Sequence, residues 1–222
     1  MKIGRIPPVA MNSSPTHEVP VVVWNKGKAG RRRADTVVVE EPLEIRVDTR
    51  SLAVTMRTPG HDTELAVGYL LSEGIIRSAS EIADIRPYPR NDLGNVLDVL
   101  LAPGVDWDAQ RLVRPGVISS SCGLCGKTTL EAVQQRFGRV QPGPVVSSEV
   151  IDTLPGQLRA AQETFSLTGG IHAAGLFDER GRLLLAREDI GRHNALDKVL
   201  GRALLDGMLP LSRHILLLSG RV

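Results

Sequence analysis

Three neighbouring segments rich in Val, Ile and Thr predict a run of β-strands in the first third of this 222-residue chain. The segments cover residues 36–40, 43–49 and 52–58, and the second and third alternate apolar with polar side chains. That alternation is the pattern of a half-buried strand. Because only short turns at residues 41–42 and 50–51 separate the segments, we expect an antiparallel β meander.

Helical and strand patterns alternate along the rest of the chain. We predict a helix from Asp62 to Gly74, a β-hairpin of residues 81–88 and 95–101, a strand at 117–120, a helix at 152–165, strands at 169–177 and 182–187, and a helix after residue 194. Residues 214–218 read as a continuous apolar strand, as expected in the interior of a sheet that is covered on both faces. The alternation predicts an α/β fold.

The chain divides into three predicted parts. Residues 1–19 carry prolines and serines without periodicity, so we expect a disordered arm. Residues 20–116 form a β-rich part, and residues 117–222 form an α/β core. The last strand runs into Ser219-Gly220-Arg221, where a buried strand normally opens into a loop and another helix. We therefore expect that the C-terminal end of the core is missing.

The composition indicates an aliphatic core and argues against nucleic-acid-binding and membrane-spanning proteins. Aromatic residues make up only 3% of the chain and apolar residues 42%, so the core must consist of Leu, Val, Ile and Ala. A net charge of +2 is too small to indicate nucleic-acid binding. No apolar run approaches the ~18 residues of a membrane span, and the N-terminus lacks the apolar region of a signal peptide. We expect a cytoplasmic protein with neither a nucleic-acid nor a membrane partner.

Both cysteines of the chain lie in one short motif, the sequence S-S-S-C-G-L-C-G-K at residues 119–127. A helix is predicted just beyond it, with Thr128 as N-cap and Glu131 completing a capping box. The partial positive charge of a helix N-terminus and the nearby Lys127 both favour the thiolate form of Cys122 and Cys125. The glycines of the motif leave the two sulfur atoms uncrowded.

Four interpretations of the C-x-x-C motif remain open at this point. A zinc site needs about four ligands, so two of the histidines would have to join the cysteines, the candidates being His61, His172, His193 and His214. A thioredoxin-type redox pair belongs near the N-terminus of its fold, whereas this pair lies mid-chain. A structural pair fits the glycine and serine flanks poorly. A reactive thiol that carries a group covalently fits best.

Polar residues near the C-terminus form a second candidate region. His172 lies in a glycine-flanked apolar strand, where a satisfied core histidine is the ordinary alternative. Residues 188–194 read E-D-I-G-R-H-N just before a helix. Asn194 suits a helix N-cap, but capping leaves Arg192 and His193 unexplained. Arg221 follows the end of a strand, where α/β sheets bind ligands.

Four motifs together resemble the FdhD/NarQ family, the sulfurtransferase accessory proteins of formate dehydrogenase. They are S-S-S-C-G-L-C-G-K, G-G-I-H-A-A-G-L, E-D-I-G-R-H-N-A-L-D-K and L-L-S-G-R, in that order. The segment from Thr58 to Ile76, which begins T-P-G, is similar to the same family. The resemblance runs from about residue 36 to the end of the chain.

The resemblance implies a sulfurtransferase with a persulfide intermediate. Such proteins take sulfur from a cysteine desulfurase and pass it to the molybdenum or tungsten bis-guanine-dinucleotide cofactor of formate dehydrogenase. Cys122 matches the persulfide carrier and Cys125 its partner. The implied fold is similar to cytidine deaminases, a mixed sheet between helix layers, usually in a homodimer. Deamination itself is excluded, because a zinc deaminase needs H-x-E and P-C-x-x-C, and this chain has neither.

The implied acceptor cofactor is a substrate, and no permanent cofactor or metal is expected. It carries phosphates, which need cations and hydrogen-bond donors. The candidate cofactor-binding residues are His172, Arg192, His193, Ser219, Gly220 and Arg221, with Lys198 as a further cation. Family members continue past Ser-Gly-Arg, and the absent segment is expected to hold part of the nucleotide site. The alternatives are a cofactor-binding chaperone without covalent sulfur transfer and a zinc-stabilised interaction module.

Overall fold

The computed structural model describes residues 14–25, 28–88, 94–107, 117–118 and 142–220. The strands are β1 Thr16–Asn25, β2 Lys28–Val38, β3 Glu41–Val47, β4 Arg50–Arg57, β5 Ile82–Pro87, β6 Val96–Leu101, β7 Val117–Ile118, β8 His172–Asp178, β9 Leu183–Asp189 and β10 His214–Leu218. The described α-helices are α1 Asp62–Ser72, α2 Ser148–Ala160, α3 Glu163–Thr168 and α4 Arg192–Leu205, and a 3₁₀ turn spans Ala79–Glu81. None of the described helices is long and apolar enough to cross a membrane.

A five-stranded mixed sheet in the order β5-β6-β3-β4-β7 forms the N-terminal half of the fold. β3 pairs antiparallel with β4 and parallel with β6, so the predicted antiparallel pairing and the mixed sheet are both confirmed. The β3–β4 turn lies at Asp48 and Thr49, two residues before the predicted turn, and both have positive φ angles of 47° and 68°. Two such residues match the twist of a tight hairpin.

A two-stranded ribbon of β1 and β2 precedes this sheet. Thr16 pairs with Val38 at its base, and Asn25 pairs with Lys28 at its tip. The predicted disordered arm is therefore wrong for residues 16–19, whose backbone hydrogen bonds are made within the ribbon. Residues 1–13 lie outside the described part of the chain. The first predicted strand, residues 36–40, contributes to β2 and not to the five-stranded sheet.

A three-stranded antiparallel sheet in the order β10-β8-β9 forms the other half. Ala174 and Leu176 of β8 pack against α4 on one face, whereas Ala173 and Phe177 pack against α2 on the other. This sheet therefore lies between helices. The expectation that residues 214–218 form an interior strand is wrong within the described chain, because β10 is an edge strand and its Leu216 is 40% exposed. The closer likeness to cytidine deaminases stays a prediction.

The pair of helices α1 and α4 joins the two sheets. α1 covers the core of the five-stranded sheet, and α4 covers the three-stranded one. Their backbones touch where glycines face the other helix. A methyl group on Gly68 would lie 1.8 Å from the carbonyl oxygen of Asp197, and one on Gly201 would lie 1.9 Å from that of Glu64. Only glycine permits this separation.

An ion pair also joins α1 to the three-stranded sheet. Nε and Nη2 of Arg187 in β9 donate to the carboxylate of Glu64, at 2.5 and 2.9 Å. Burial alone would raise the pKa of Glu64. The hydrogen bonds and charges of His61 and Arg187 outweigh burial and lower that pKa to about 2. The carboxylate is therefore ionised throughout the physiological range.

Asp197 gives the folded protein a predictable pH dependence. Burial raises its pKa to about 7, aided by the charges of Glu73 and Asp189 and opposed by a hydrogen bond from Ser72. Because this exceeds the usual 3.8, the folded state binds the proton more tightly than the unfolded state does, and stability falls as the pH rises from about 4 to about 7. We expect Asp197→Asn to raise the free energy of unfolding at pH 8 by about 2 kcal/mol.

Denaturant unfolding of both proteins at several pH values measures this effect. The advantage of Asp197→Asn should shrink as the pH falls from about 7 to about 4, because the wild-type carboxyl then becomes neutral in the folded state. An advantage that is the same at pH 5 and pH 8 would contradict the assignment to Asp197.

Candidate functional site

Four of the predicted cofactor-binding residues meet at the end of β10. His172 opens β8, Ser219 and Gly220 follow β10, and Arg192 begins α4. These elements meet because β8 is the central strand of the three-stranded sheet and pairs with both β9 and β10. Three predicted site residues lie outside the described chain, namely Cys122, Cys125 and Arg221.

Ser219 holds the end of β10 against the start of β8. Its hydroxyl accepts a hydrogen bond from the backbone N–H of Ala173 at 2.8 Å, and its own N–H donates to the carbonyl of Ala173 at 2.9 Å. The same hydroxyl lies 3.5 Å from Nδ1 of His172. The serine therefore fixes both the strand end and the neighbourhood of the imidazole.

Gly220 brings two of the predicted side chains together. A methyl group there would lie 3.1 Å from Cε1 and Nδ1 of His172 and 3.4 Å from Cδ of Arg192. Contacts at 3.1 Å are tighter than ordinary van der Waals packing, so a larger residue would require the imidazole to shift by a few tenths of an ångström. Gly220 therefore lies between the imidazole and the arginine stem.

The first turn of α4 presents Arg192 and His193, and both side chains are half-buried. The N-cap is Gly191, so the alternative interpretation of Asn194 as the N-cap is wrong. Its buried amide instead donates to the carbonyl of Met56 at 2.7 Å and to Asp189 at 3.0 Å. Tertiary contacts, not capping, explain this asparagine.

The carboxylate of Asp189 is the centre of a buried network beneath this turn. Its side chain is fully buried and accepts four hydrogen bonds or ion-pair contacts. Oδ1 accepts from the N–H of Gly191 at 2.8 Å and from Asn194. Oδ2 accepts from the N–H of Thr58 at 3.1 Å and contacts Nζ of Lys198 at 2.7 Å. Four contacts use the full acceptor capacity of a carboxylate.

Lys198 belongs to this network and not to a ligand site. Its side chain is 1% exposed. Besides Asp189, its ammonium donates to the carbonyls of Thr58 at 2.9 Å and Glu188 at 3.4 Å. Three partners satisfy the three donors of an ammonium. The expectation that Lys198 supplies a cation to the cofactor is therefore wrong.

Glu188, the first acid of the E-D-I-G-R-H-N motif, also has a structural task. Its carboxylate accepts the backbone N–H groups of Thr164 and Phe165, both at 2.8 Å. These groups open α3, and a carboxylate at a helix N-terminus is favourable. The predicted helix at residues 152–165 is accordingly two helices, α2 and α3, with Glu188 fixing the start of the second.

Sequence reasoning missed the roles of Thr58 and Asp189, although each carried a signal. An aspartate two residues before a glycine is an Asx-turn pattern, and Asp189 makes that bond to Gly191. Lys198 stands beside Val199 on the apolar face of a helix, and a buried charge requires a partner. The sequence signal for Thr58 is weaker and consists only of its place at the start of the T-P-G motif.

The histidines predicted as possible zinc ligands do not all lie near one another. His214 pairs with Asp178 at the far end of β8, whereas His172 opens that strand. His61 precedes α1 and lies 3.4 Å from Glu64. His172 and His214 are therefore at opposite ends of one strand pair and cannot share a metal ion. The zinc alternative otherwise stays a prediction, because both cysteines lie outside the described residues.

Comparison with known proteins adds a finding that the geometry alone does not give. The family model described as FdhD/NarQ family matches residues 38–222. This chain belongs to the FdhD/NarQ family. The resemblance predicted from the four motifs is thereby confirmed over most of the chain.

Curated relatives in this family carry the name sulfur carrier protein FdhD. One from Streptomyces avermitilis is 50% identical over 197 residues, which is 85% of this chain and 70% of the relative. One from Corynebacterium efficiens is 45% identical, and the alignment covers 92% of this chain and 77% of the relative. An archaeal relative from Saccharolobus solfataricus is 39% identical, with coverages of 89% and 73%.

A solved structure supports the mixed α/β fold. The crystal structure of a protein described as a formate dehydrogenase accessory protein from Desulfotalea psychrophila aligns with a TM-score of 0.69 at 23% identity. The alignment covers 94% of this chain and 75% of that chain. At this identity the likeness establishes the mixed α/β fold and no further property.

Proposed function

We propose that this chain is a sulfur carrier that serves the maturation of formate dehydrogenase. The observation that carries the proposal is the family match over residues 38–222, together with relatives named sulfur carrier protein FdhD. The C-x-x-C motif at Cys122 and Cys125 supplies a group that can hold sulfur. The chain acts as a sulfurtransferase in the cytoplasm, as a homodimer.

The sulfur donor is a cysteine desulfurase, and the carrier atom is the sulfur of Cys122. Its thiolate attacks the outer sulfur of the donor's cysteine persulfide. A new S–S bond forms on Cys122 while the S–S bond of the donor breaks, and the donor's cysteine leaves as a thiolate. A persulfide is more acidic than a thiol, so the transferred sulfur stays anionic at neutral pH.

The acceptor substrate is the molybdenum or tungsten bis-guanine-dinucleotide cofactor. Terminal sulfur is a soft ligand that suits such a metal. The dinucleotide carries phosphates, and Arg192, His172 and Ser219 gather a cation, an imidazole and a hydroxyl beside the N-terminus of α4, whose first turn also carries His193. Such groups favour a phosphate. Arg221 adds a second cation in the proposed site.

Deleting the gene for this chain in its host tests the function. Formate dehydrogenase polypeptide should remain at its normal level, while its activity falls to background because the cofactor lacks its sulfur. Supplying the gene again should restore activity. Normal formate dehydrogenase activity in the deletion strain would contradict the proposal.

Arg192→Gln should weaken binding of guanosine diphosphate, which represents one end of the cofactor. We expect a dissociation constant about tenfold higher, because one charge-assisted hydrogen bond to phosphate is lost. Isothermal titration calorimetry with the purified protein measures it. Arg180→Gln, in the exposed turn between β8 and β9, is the matched control and should leave the affinity unchanged. Equal affinities for Arg192→Gln and the wild type would remove Arg192 from the site.

The second candidate function is a chaperone that binds the cofactor without carrying sulfur. The cluster of Arg192 and Gly220, which the Asp189 network supports, fits a chaperone equally well, because this cluster would bind only the acceptor cofactor. The two candidates differ in Cys122 alone. A carrier gains a sulfur atom there, and a chaperone does not.

A further inference from the structure

The chain segments that build the candidate site are connected by one buried carboxylate. Asp189 contacts the end of β4 through the N–H of Thr58 and the entry of α4 through the N–H of Gly191. Its ion pair with Lys198 reaches about two turns further into α4. Its backbone pairs with His172 across the β8–β9 ladder. Four contacts on one side chain thus fix the surroundings of Arg192.

Stability alone explains this ion pair poorly. Removing two charges from water is costly, and a buried pair is often no more stabilising than well-packed apolar residues. A fully satisfied pair does, however, specify one geometry, because each donor has a fixed place. Asp189 and Lys198 have all their partners, so the arrangement selects a single conformation of the Ile190–Gly191 turn.

We propose that Asp189 is a positioning residue of the acceptor site, which sets the turn that presents Arg192 to His172 and Gly220. The carboxylate acts through the backbone N–H of Gly191 and does not touch the ligand. Thr58 supports the same turn, since its hydroxyl accepts the N–H of Ile190 at 3.1 Å. The inference rests on the proposed function, because it concerns the phosphate-binding role of that turn.

The experiment compares guanosine diphosphate binding by Asp189→Asn and Glu64→Gln in the full chain. Glu64→Gln is the matched control, because it breaks a different buried ion pair, the one between α1 and β9. Both variants lose stability. At a temperature where both are folded, Asp189→Asn should bind the nucleotide at least about tenfold more weakly, whereas Glu64→Gln should bind within about twofold of the wild type.

A second pair of variants keeps the inference testable if Asp189→Asn does not fold. Thr58→Ala removes the acceptor for the N–H of Ile190, and Thr58→Ser retains it. Thr58→Ala should weaken nucleotide binding about fivefold, the effect of one neutral hydrogen bond, and Thr58→Ser should restore it. A general structural defect would not be rescued by a hydroxyl alone.

The outcomes separate this inference from the proposed function. Asp189→Asn or Thr58→Ala binding as tightly as the wild type would overturn the positioning role and leave the acceptor site intact. An equal loss in Glu64→Gln would also overturn it, because the effect would then be general. Failure of the wild-type protein to bind guanosine diphosphate would instead contradict the acceptor site itself, and the positioning role with it.

Discussion

Cys122→Ala should reduce formate dehydrogenase activity in cells at least about 100-fold, because the thiolate of Cys122 is the group that forms the S–S bond to the transferred sulfur in the proposed carrier. The variant protein and the formate dehydrogenase polypeptide should both remain at normal levels. Enzyme assays on extracts of a deletion strain that carries the variant gene measure the effect. The loss of activity would reflect the missing thiol and not misfolding, since alanine is smaller than cysteine and adds no charge.

Ser119→Ala is the matched control for this experiment. It lies in the same S-S-S-C-G-L-C-G-K motif and also replaces a small polar group with a methyl group. It should leave formate dehydrogenase activity within about twofold of the wild type, as most substitutions outside the reacting group do. Full activity in the Cys122→Ala strain would exclude a persulfide on Cys122 and favour the chaperone without sulfur transfer.

Gly201→Ala should lower the free energy of unfolding by more than about 3 kcal/mol, since overpacking of this severity forces backbone movement. The added methyl group would lie 1.9 Å from the carbonyl oxygen of Glu64 and 2.7 Å from the backbone nitrogen of Gly68. Both are backbone atoms of α1, which cannot turn aside as a side chain can. Because α1 and α4 connect the two sheets, we expect loss of cooperative folding at 37 °C, measured by thermal melting.

Gly156→Ala is the control for a glycine in a helix. Gly156 lies in the interior of α2, where a methyl group would meet no atom within 4 Å. Alanine should stabilise the protein by about 0.5–1 kcal/mol, because it restricts the unfolded chain and favours the helix. A stable Gly201→Ala variant would show that α1 and α4 do not touch at these glycines.

The sequence predicted most elements of this fold, because local patterns determine them. The alternation in β3 and β4 and the helical spacing in α1 arise from which face is buried. The long helix predicted at residues 152–165 was divided at Gln162 because Glu188 caps the second half from a distant strand. No local pattern contains that contact. The place of β10 at the edge of the described three-stranded sheet likewise depends on pairing between strands.

The sequence identified most residues of the candidate site, but it predicted only part of how these residues contact one another. Motif resemblance identified His172, Arg192 and Gly220, which lie together. The contact that supports them joins Thr58 to Asp189 across 131 residues of sequence, which single-sequence reasoning cannot detect. For the same reason Lys198 was assigned to the ligand, although burial commits it to Asp189.

The contact between α1 and α4 was also only partly predictable from the sequence. Gly68 and Gly201 each interrupt a helical pattern, and such a glycine often marks a close approach of two backbones. The sequence indicates that something must come near. Only the structure identifies the partners as Asp197 and Glu64 on the facing helices.

Peptide mass spectrometry of the protein after incubation with a cysteine desulfurase and cysteine tests the sulfur-carrier claim most directly. The peptide that contains Cys122 should gain about 32 Da, the mass of one sulfur atom, and dithiothreitol should remove it. The Cys122→Ala protein should gain no sulfur under the same conditions. An unmodified Cys122 in protein that has been exposed to an active desulfurase would contradict the claim that this chain carries sulfur.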